Sequence, residues 1–484
     1  MSNQGRYVVT TFICLFLLIG CSDQNIKNII YFGIAQSPQN LDPRFQSDAA
    51  SERISELIYS PLFYFDKNYK TQSNIVNWEK VNPLKYKFII KKKLPTFHHN
   101  KIMSVGDIVA TLNSLRSKKK SPFYIELNNI KIITKLSESS FEIDLFKKDI
   151  NFISRLAFFI LPEDLLINNH NFSTNPVGSG PFLFLEKYPN LKVERRHDSQ
   201  IIELVKIKDP TVRVLKLING EIDLLQNDLP LEMIRLLEAK RNITTLKEYG
   251  ANVSYIGFNF NNPILKQYKF RKALSLAVDR QSIIQHFLNN KTRVAEQILP
   301  SEHWASEEVN SFNFNPMLAK KYISDLRLHE PIVITLKTST DPFRVKIATL
   351  IQKQFENIGV KLIIKSLDWG TYFKDIQAGE FELYGLTWVG IKNPEIYSKI
   401  FNSKLTPPDG LNRGGYKDDI TDSLIIDAIE SNLWGKVIKK VHIDNAFMPL
   451  WFEGNFAAFN KNISGYYIHI DGSWDALKTV RKEQ

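Results

Sequence analysis

Cysteine is nearly absent from this chain: there are two in 484 residues, Cys14 and Cys21, both within the first 21 positions. Residues 22–484 can therefore form no disulfide, and they offer no thiol nucleophile and no thiolate metal ligand. Also missing are His-Glu-x-x-His and Gly-x-Ser-x-Gly, the spacings a zinc protease or a serine hydrolase of the elbow type would need. The 9 histidines are scattered apart from His98-His99, which fall in a turn and bring no evident third metal ligand. No glycine-rich loop has the third glycine and following helix that a phosphate cradle demands. An enzyme is not expected on these grounds, nor is a cofactor.

The formal charge of +12 reads as spread along the chain, with Lys91-Lys92-Lys93 and Lys118-Lys119-Lys120 as the tight runs. No basic stripe interleaved with aromatics stands out, so no nucleic-acid partner is expected. What is present is ordinary globular material, 43% hydrophobic and 24% charged. Its length exceeds the roughly 250–300 residues at which one core stops growing, so two or more lobes are expected.

The first residues are a targeting signal. Arg6 precedes an apolar run from Tyr7 to Ile19, too short for a stable span but long enough for a signal-peptide core. The ending Leu18-Ile19-Gly20-Cys21 resembles the bacterial lipobox. That resemblance implies removal of residues 1–20, a lipid anchor on Cys21 and attachment to a bacterial membrane, facing the periplasm or cell exterior.

Beyond the signal, residues 29–35 read as a buried strand, broken by the turn residues Ser37-Pro38-Gln39-Asn40-Leu41-Asp42-Pro43. A helix is predicted over 49–59, capped by Ser47 or Asp48. Asn100 is a candidate left-handed turn residue, and Ser104-Val105-Gly106-Asp107 opens an amphipathic helix. Asn175-Pro176-Val177-Gly178-Ser179-Gly180-Pro181-Phe182 is a glycine-punctuated loop whose glycines are expected to take positive φ. Strand–helix–strand units follow, at 201–225 and at 332–364, the second with Phe343, Ile347, Ile351 and Phe355 on one helix face. A further helix, capped by Asp368 and ended by Gly379, leads to a strand over 381–388. Two such units, about a hundred residues apart, argue for two α/β lobes.

Taken in order, these landmarks resemble one family, the extracytoplasmic solute-binding proteins of ABC importers for peptides and nickel (family 5). The resemblance rests on the Leu41-Asp42-Pro43 segment, Tyr59-Ser60-Pro61-Leu62-Phe63, the 87–108 stretch, Pro176-Val177-Gly178-Ser179-Gly180-Pro181-Phe182 and Asn219-Gly220-Glu221-Ile222-Asp223. Most specific is Tyr255-Ile256-Gly257-Phe258-Asn259-Phe260, followed by Phe270-Arg271-Lys272-Ala273-Leu274-Ser275-Leu276-Ala277-Val278-Asp279-Arg280. It implies an α/β, two-lobed periplasmic-binding-protein fold (type II, peptide-binding class) with an extra α+β subdomain in the first lobe. The expected layout is lobe I from 22–41, 161–257 and 447–484, the insertion at 42–160, and lobe II at 258–446, with crossings near 255–260 and 446–451.

Function follows as an expectation: capture of a peptide or small solute by hinge closure, and delivery to ABC permease subunits by a monomer. A sensor or scaffold lipoprotein of the same fold is the alternative, since residues 417–448 read as shorter than their family counterpart. An exported hydrolase is the other rival. Ligand should sit beyond the carboxyl ends of the second lobe's strands, which nominates Thr387, Trp388, Gly390, Lys392 and Asn393. By analogy Tyr255 and Phe45 face the cleft from the first-lobe side, though either could serve packing alone. The family's peptide binders carry an aspartate for the ligand's amino terminus where this chain has Ile391. Glu395 is the nearest carboxylate and could equally be a helix-start residue. Lys392 is open to two readings, contact with an anionic ligand or ordinary surface.

Overall fold

The computed structural model describes residues 29–46, 48–329 and 331–483. The signal segment, Cys21 and the Ser47 cap lie outside them. Among the described residues three sheets have four or more strands; the two larger ones carry a core on each face and the smallest has one core.

The first is seven-stranded. Its order is Ile243–Glu248, Asn455–Asn460, Leu224–Gln226, Ile29–Ile34, Ile201–Lys206, Leu191–Arg195, Phe182–Glu186. Ile29–Ile34 runs parallel to both Ile201–Lys206 and Leu224–Gln226, so the first strand of the chain slots between the two strands of the 201–225 unit. Strand Asn455–Asn460 shows why the sheet is covered on both faces. Phe456 and Ala458 enter a core with Val214, Leu217 and Ile234, while Ala457 and Phe459 join Phe32, Leu204 and Trp474 on the opposite side.

Helix Ala49–Ile58 is capped by Asp48, whose carboxylate accepts from the Ser51 amide at 2.9 Å. Its Ile54, Leu57 and Ile58 pack into the seven-stranded sheet's core rather than into the insertion. The boundary expected at residue 42 therefore moves. The insertion's own core runs from Leu62 to Ile160, with Phe88, Ile108, Leu112, Phe141 and Ile143 inside it. A four-stranded antiparallel sheet, ordered Val76–Asn82, Lys85–Ile90, Ser140–Leu145, Ile130–Ser137, and helix Val105–Ser117 form its two layers.

Gly178 and Gly180 depart from expectation, because neither has positive φ. Their role is close approach: a Cβ on Gly178 would fall 2.0 Å from the Ile58 carbonyl oxygen, and one on Gly180 would fall 2.4 Å from that of Leu57. The loop thus seats directly on the end of helix Ala49–Ile58, and the Gly180 amide donates to Ile58 O at 2.8 Å. Asn100 does take the left-handed conformation, with φ 68°.

The second lobe's sheet is six-stranded: Arg293–Val294, Phe447–Phe452, Val253–Phe258, Leu383–Trp388, Ile332–Ser339, Val360–Leu367. Ile332–Ser339 and Val360–Leu367 pair in parallel, and helix Pro342–Glu356 crosses between them with Ile347, Ile351 and Phe355 buried. Gly359 and Gly379 end their helices at φ 82° and 74°. Val253–Phe258 and Phe447–Phe452 are buried at every position and lie in the interior of this sheet, because strands apolar on both faces, as these are but for Ser254, need cover on both.

This corrects the boundaries expected at 258 and 447 and the crossings expected near 255–260 and 446–451. The chain passes between lobes at 249–252 and at 453–454. The two passages touch, with the Glu453 amide donating to Asn252 O at 2.8 Å. Gly250 has no room for a side chain there, since its Cβ would meet the Glu453 carbonyl oxygen at 2.0 Å.

Candidate functional site at the carboxyl end of the second sheet

Strand Leu383–Trp388 pairs in parallel with Ile332–Ser339 and antiparallel with Val253–Phe258, so its last residues emerge beside the interlobe passages. Thr387 Oγ1 donates to Glu453 Oε1 at 2.9 Å and lies 2.9 Å from Ser254 Oγ, which itself donates to Glu453 at 2.6 Å. The Arg344 guanidinium, in the first turn of helix Pro342–Glu356, donates to the same Thr387 hydroxyl at 3.3 Å. Strand end, hinge and helix start are thereby joined through one side chain.

Trp388 and Tyr255 stack face to face, with ring centroids 5.6 Å apart and planes 2° from parallel. Above Trp388 lies the Arg413 guanidinium, 4.9 Å from its ring centroid and 5.6 Å from that of Phe373. Arg413 also donates to the Tyr255 hydroxyl at 3.3 Å, while its Nε finds no partner and no carboxylate comes within 4.0 Å among the described residues. Burial opposes its charge, but the Tyr255 and Tyr384 hydroxyls hold it protonated. Tyr255, Trp388 and Arg413 line a small cavity, about 20 Å³, with Tyr384 and Phe447.

The segment after Trp388 reaches across to the first lobe. Gly390 takes φ 68° and donates its amide to Asn252 Oδ1 at 3.2 Å. Ile391 packs into the second lobe's core beside Trp388. Lys392 Nζ lies 3.3 Å from Glu56 and 3.3 Å from Asp471, both on the first lobe. Burial disfavours its charge, yet Glu56, Asp471 and Glu52 hold it protonated well above the ordinary range. Burial pushes Glu56 up to about 7 against the pull of Lys392. Asp471 stays ionised despite burial, because His469 and Lys392 hold it down.

Asn393 donates to Ser154 of the insertion at 2.8 Å. Glu395 forms a forked pair with Arg155 of the insertion, at 2.6 and 2.8 Å, and Arg155 also binds Asp149 at 2.7 Å.

Of the nominated residues, the structure stacks Trp388 on Tyr255, which lies in the second lobe's sheet and not on the first-lobe side, while Thr387, the preceding residue of the strand, leaves the opposite face toward Ser254, Glu453 and Arg344. Lys392 fits neither of its two readings, since its charge is spent on first-lobe carboxylates. Glu395 is likewise committed, to Arg155. Phe45 stands apart in the turn after Asp42 with its ring 5.4 Å from the Arg44 guanidinium, and no ring contact or side-chain hydrogen bond joins it to 387–393 among the described residues. Sequence reasoning missed Arg413 and Arg344, which lie 25 residues after and 44 residues before Trp388, and the acidic pocket made by Glu52, Glu56 and Asp471. Nothing in local spacing signals these groups, because the tertiary fold assembles them.

Comparison with known proteins agrees with this architecture. The oligopeptide-binding protein AppA of Bacillus subtilis is 25% identical over 484 aligned residues, covering 90% of this chain and 88% of AppA. The structure of AppA in complex with a nonapeptide superposes with a TM-score of 0.81 at 23% identity, covering 94% of this chain and 99% of that one. NikZ from Campylobacter jejuni in complex with Ni(L-His) gives 0.81 at 21% identity, covering 94% and 100%. The profile of the bacterial extracellular solute-binding proteins, family 5, matches residues 67–405. With two lobes joined by paired crossings and that match over more than half its length, the chain belongs to the family 5 bacterial extracellular solute-binding proteins.

Proposed function

We propose that the chain is the receptor of an ABC importer that takes up a peptide or peptide-like solute between its lobes and hands it to membrane permease subunits. Closure would occur about the touching passages at 249–252 and 453–454. The observation that carries this reading is the Trp388–Tyr255 stack under Arg413 at the strand end, with Thr387 on the other face bonded to Glu453 of the second passage. The names of the relatives favour a peptide as solute.

Ligand polarity should differ from that of the family's amine-anchoring members. Ile391 supplies no carboxylate, and Glu395 and the acidic pocket of the first lobe are already paired. Among the described residues Arg413, like Arg344, has no carboxylate within 4.0 Å, and Arg413 is the one that stands over Trp388. A buried charge without a partner is costly, so a carboxylate of the solute placed over Trp388 would complete the site. Lys392 and Asn393 serve closure, holding the loop to the first lobe and the insertion. In this reading the protein works as a monomer without catalysis, exported by residues 1–20 and anchored by acyl chains on Cys21.

Native mass spectrometry of the protein purified without denaturation, followed by calorimetric titration with short peptides, tests the proposal. One retained or added peptide per chain, released unchanged, is expected. Turnover of peptides or chromogenic esters, or no affinity for any peptide tried, would overturn it.

A further inference from the structure

The charge that reads as evenly spread is concentrated in the fold. Residues 61–160 hold 18 Lys and Arg against 8 Asp and Glu, a net +10 out of +12 for the whole chain, so the rest is close to neutral. Within the insertion the excess gathers at one end of its sheet. Lys118, Lys119, Lys120, Lys131, Lys147 and Lys148 are all exposed. None has a carboxylate within 4.0 Å among the described residues.

These lysines share a locale. Asn129 bonds the backbone of Lys147 through both its amide atoms, at 2.9 and 3.0 Å. Arg116 donates to the Ile130 carbonyl oxygen at 2.5 Å. The acids of this end do not neutralise the group, because Glu126 is taken by Lys399 of the second lobe and Asp149 by Arg155.

Two further features accompany the charge. A polar hollow of about 350 Å³ opens here, lined by Asn113, Arg116, Ser117, Tyr124 and Asn128, with hydroxyl, amide and guanidinium groups suited to phosphate oxygens. At the same end of the insertion large apolar side chains stand in solvent: Phe146, whose amide bonds Asn129 O, is 61% exposed, Ile125 46% and Leu84, whose carbonyl accepts from Leu145, 43%. Clustered lysines rimmed by exposed apolar groups suit a bilayer of anionic phospholipid, where the lysines meet headgroup charge and the apolar side chains enter the interface.

We propose that this basic end of the insertion docks on anionic phospholipid membrane, with a headgroup phosphate received in the Arg116 hollow. Proximity to a bilayer rests on the anchor proposed at Cys21, from which eight residue steps to Ile29 span at most ~28 Å. The patch itself is independent of that anchor. Every core residue lies between 29 and 483, so an unlipidated chain starting at Ser22 keeps the fold and separates the two ideas.

The test is co-sedimentation of that unlipidated chain with vesicles of equimolar phosphatidylglycerol and phosphatidylcholine, against phosphatidylcholine alone, in low and in half-molar salt. Preference for the anionic vesicles by about tenfold or more, lost in high salt, is expected. Combined Lys118→Glu, Lys119→Glu and Lys120→Glu should abolish that preference. Lys320→Glu, Lys321→Glu and Lys361→Glu on the second lobe, an equal charge change, should leave it standing. Equal binding to both vesicles, equal loss in both triple variants, or binding to heparin with none to vesicles would each overturn the proposal.

Discussion

Replacing Lys392 with alanine removes the second-lobe cation held between Glu56 and Asp471 and leaves those first-lobe carboxylates, with Glu52 beside them, covered by the second lobe without a counter-charge from it. Deleting one partner of a dry ion pair costs about 3–5 kcal/mol. The side chains of Lys392, Glu56 and Asp471 retain 25%, 24% and 16% exposure, so solvent screening lowers the effect to roughly 1–3 kcal/mol. This cost falls on the closed arrangement alone, because the lysine and its partners belong to different lobes. The closed population relative to open should therefore fall by about ten- to a hundredfold. Residues 22–484 contain no cysteine, so Lys461→Cys on the first lobe and Lys353→Cys on the second can carry a donor and acceptor pair without background labelling. Lys392→Ala should lengthen the mean interlobe distance without ligand, and Lys392→Arg should largely restore it. An unchanged distance in the alanine variant would refute the latch.

Arg413→Gln should weaken binding of free-acid peptides by about tenfold or more, and that of their amides much less, in calorimetric titration. Equal loss for both would remove the carboxylate assignment. Gly180→Ala should cost about 1–3 kcal/mol in chemical denaturation, because the atom its Cβ meets is the Leu57 carbonyl oxygen, which cannot swing away. A neutral result would show that the loop can shift. Burial pushes His303 down to about 4, where its ring packs 4.6 Å from Tyr69 of the insertion. With the folded value below the ordinary 6.5, stability is held above pH 6.5 and lost as pH falls through 4, by up to about 3 kcal/mol. His98 contributes in the same window, whereas Glu56, raised to about 7, favours the fold at low pH and loses that as pH rises. His303→Asn should therefore flatten, without abolishing, the acid limb of a melting-temperature profile, and an unchanged limb would contradict the assignment.

The regular elements were the legible part of this chain. Asp48 and Asp368 cap the helices their positions announce, since an N-cap depends on a few adjacent residues. Ile347, Ile351 and Phe355 bury the face their spacing implies for the same local reason. The lobe passages were displaced because a uniformly apolar strand such as 447–452 gives no sign of which sheet will accept it. Gly178 and Gly180 look like turn glycines, and only the seated end of helix Ala49–Ile58 reveals that bulk rather than φ is forbidden. At the site, Thr387 and Trp388 could be read from a strand end. Arg413, Glu56 and Asp471 could not, because their meaning depends on partners far away in sequence, and the pairing of Lys392 spans 336 residues to Glu56.

Hydrogen–deuterium exchange of the purified chain, with and without a bound peptide, probes capture between the lobes most directly. Protection should appear at 387–393 and at 249–252 and 453–454, together with the facing first-lobe helix Ala49–Ile58. Protection confined to a single lobe, or none at the paired passages, would contradict a solute enclosed by hinge closure.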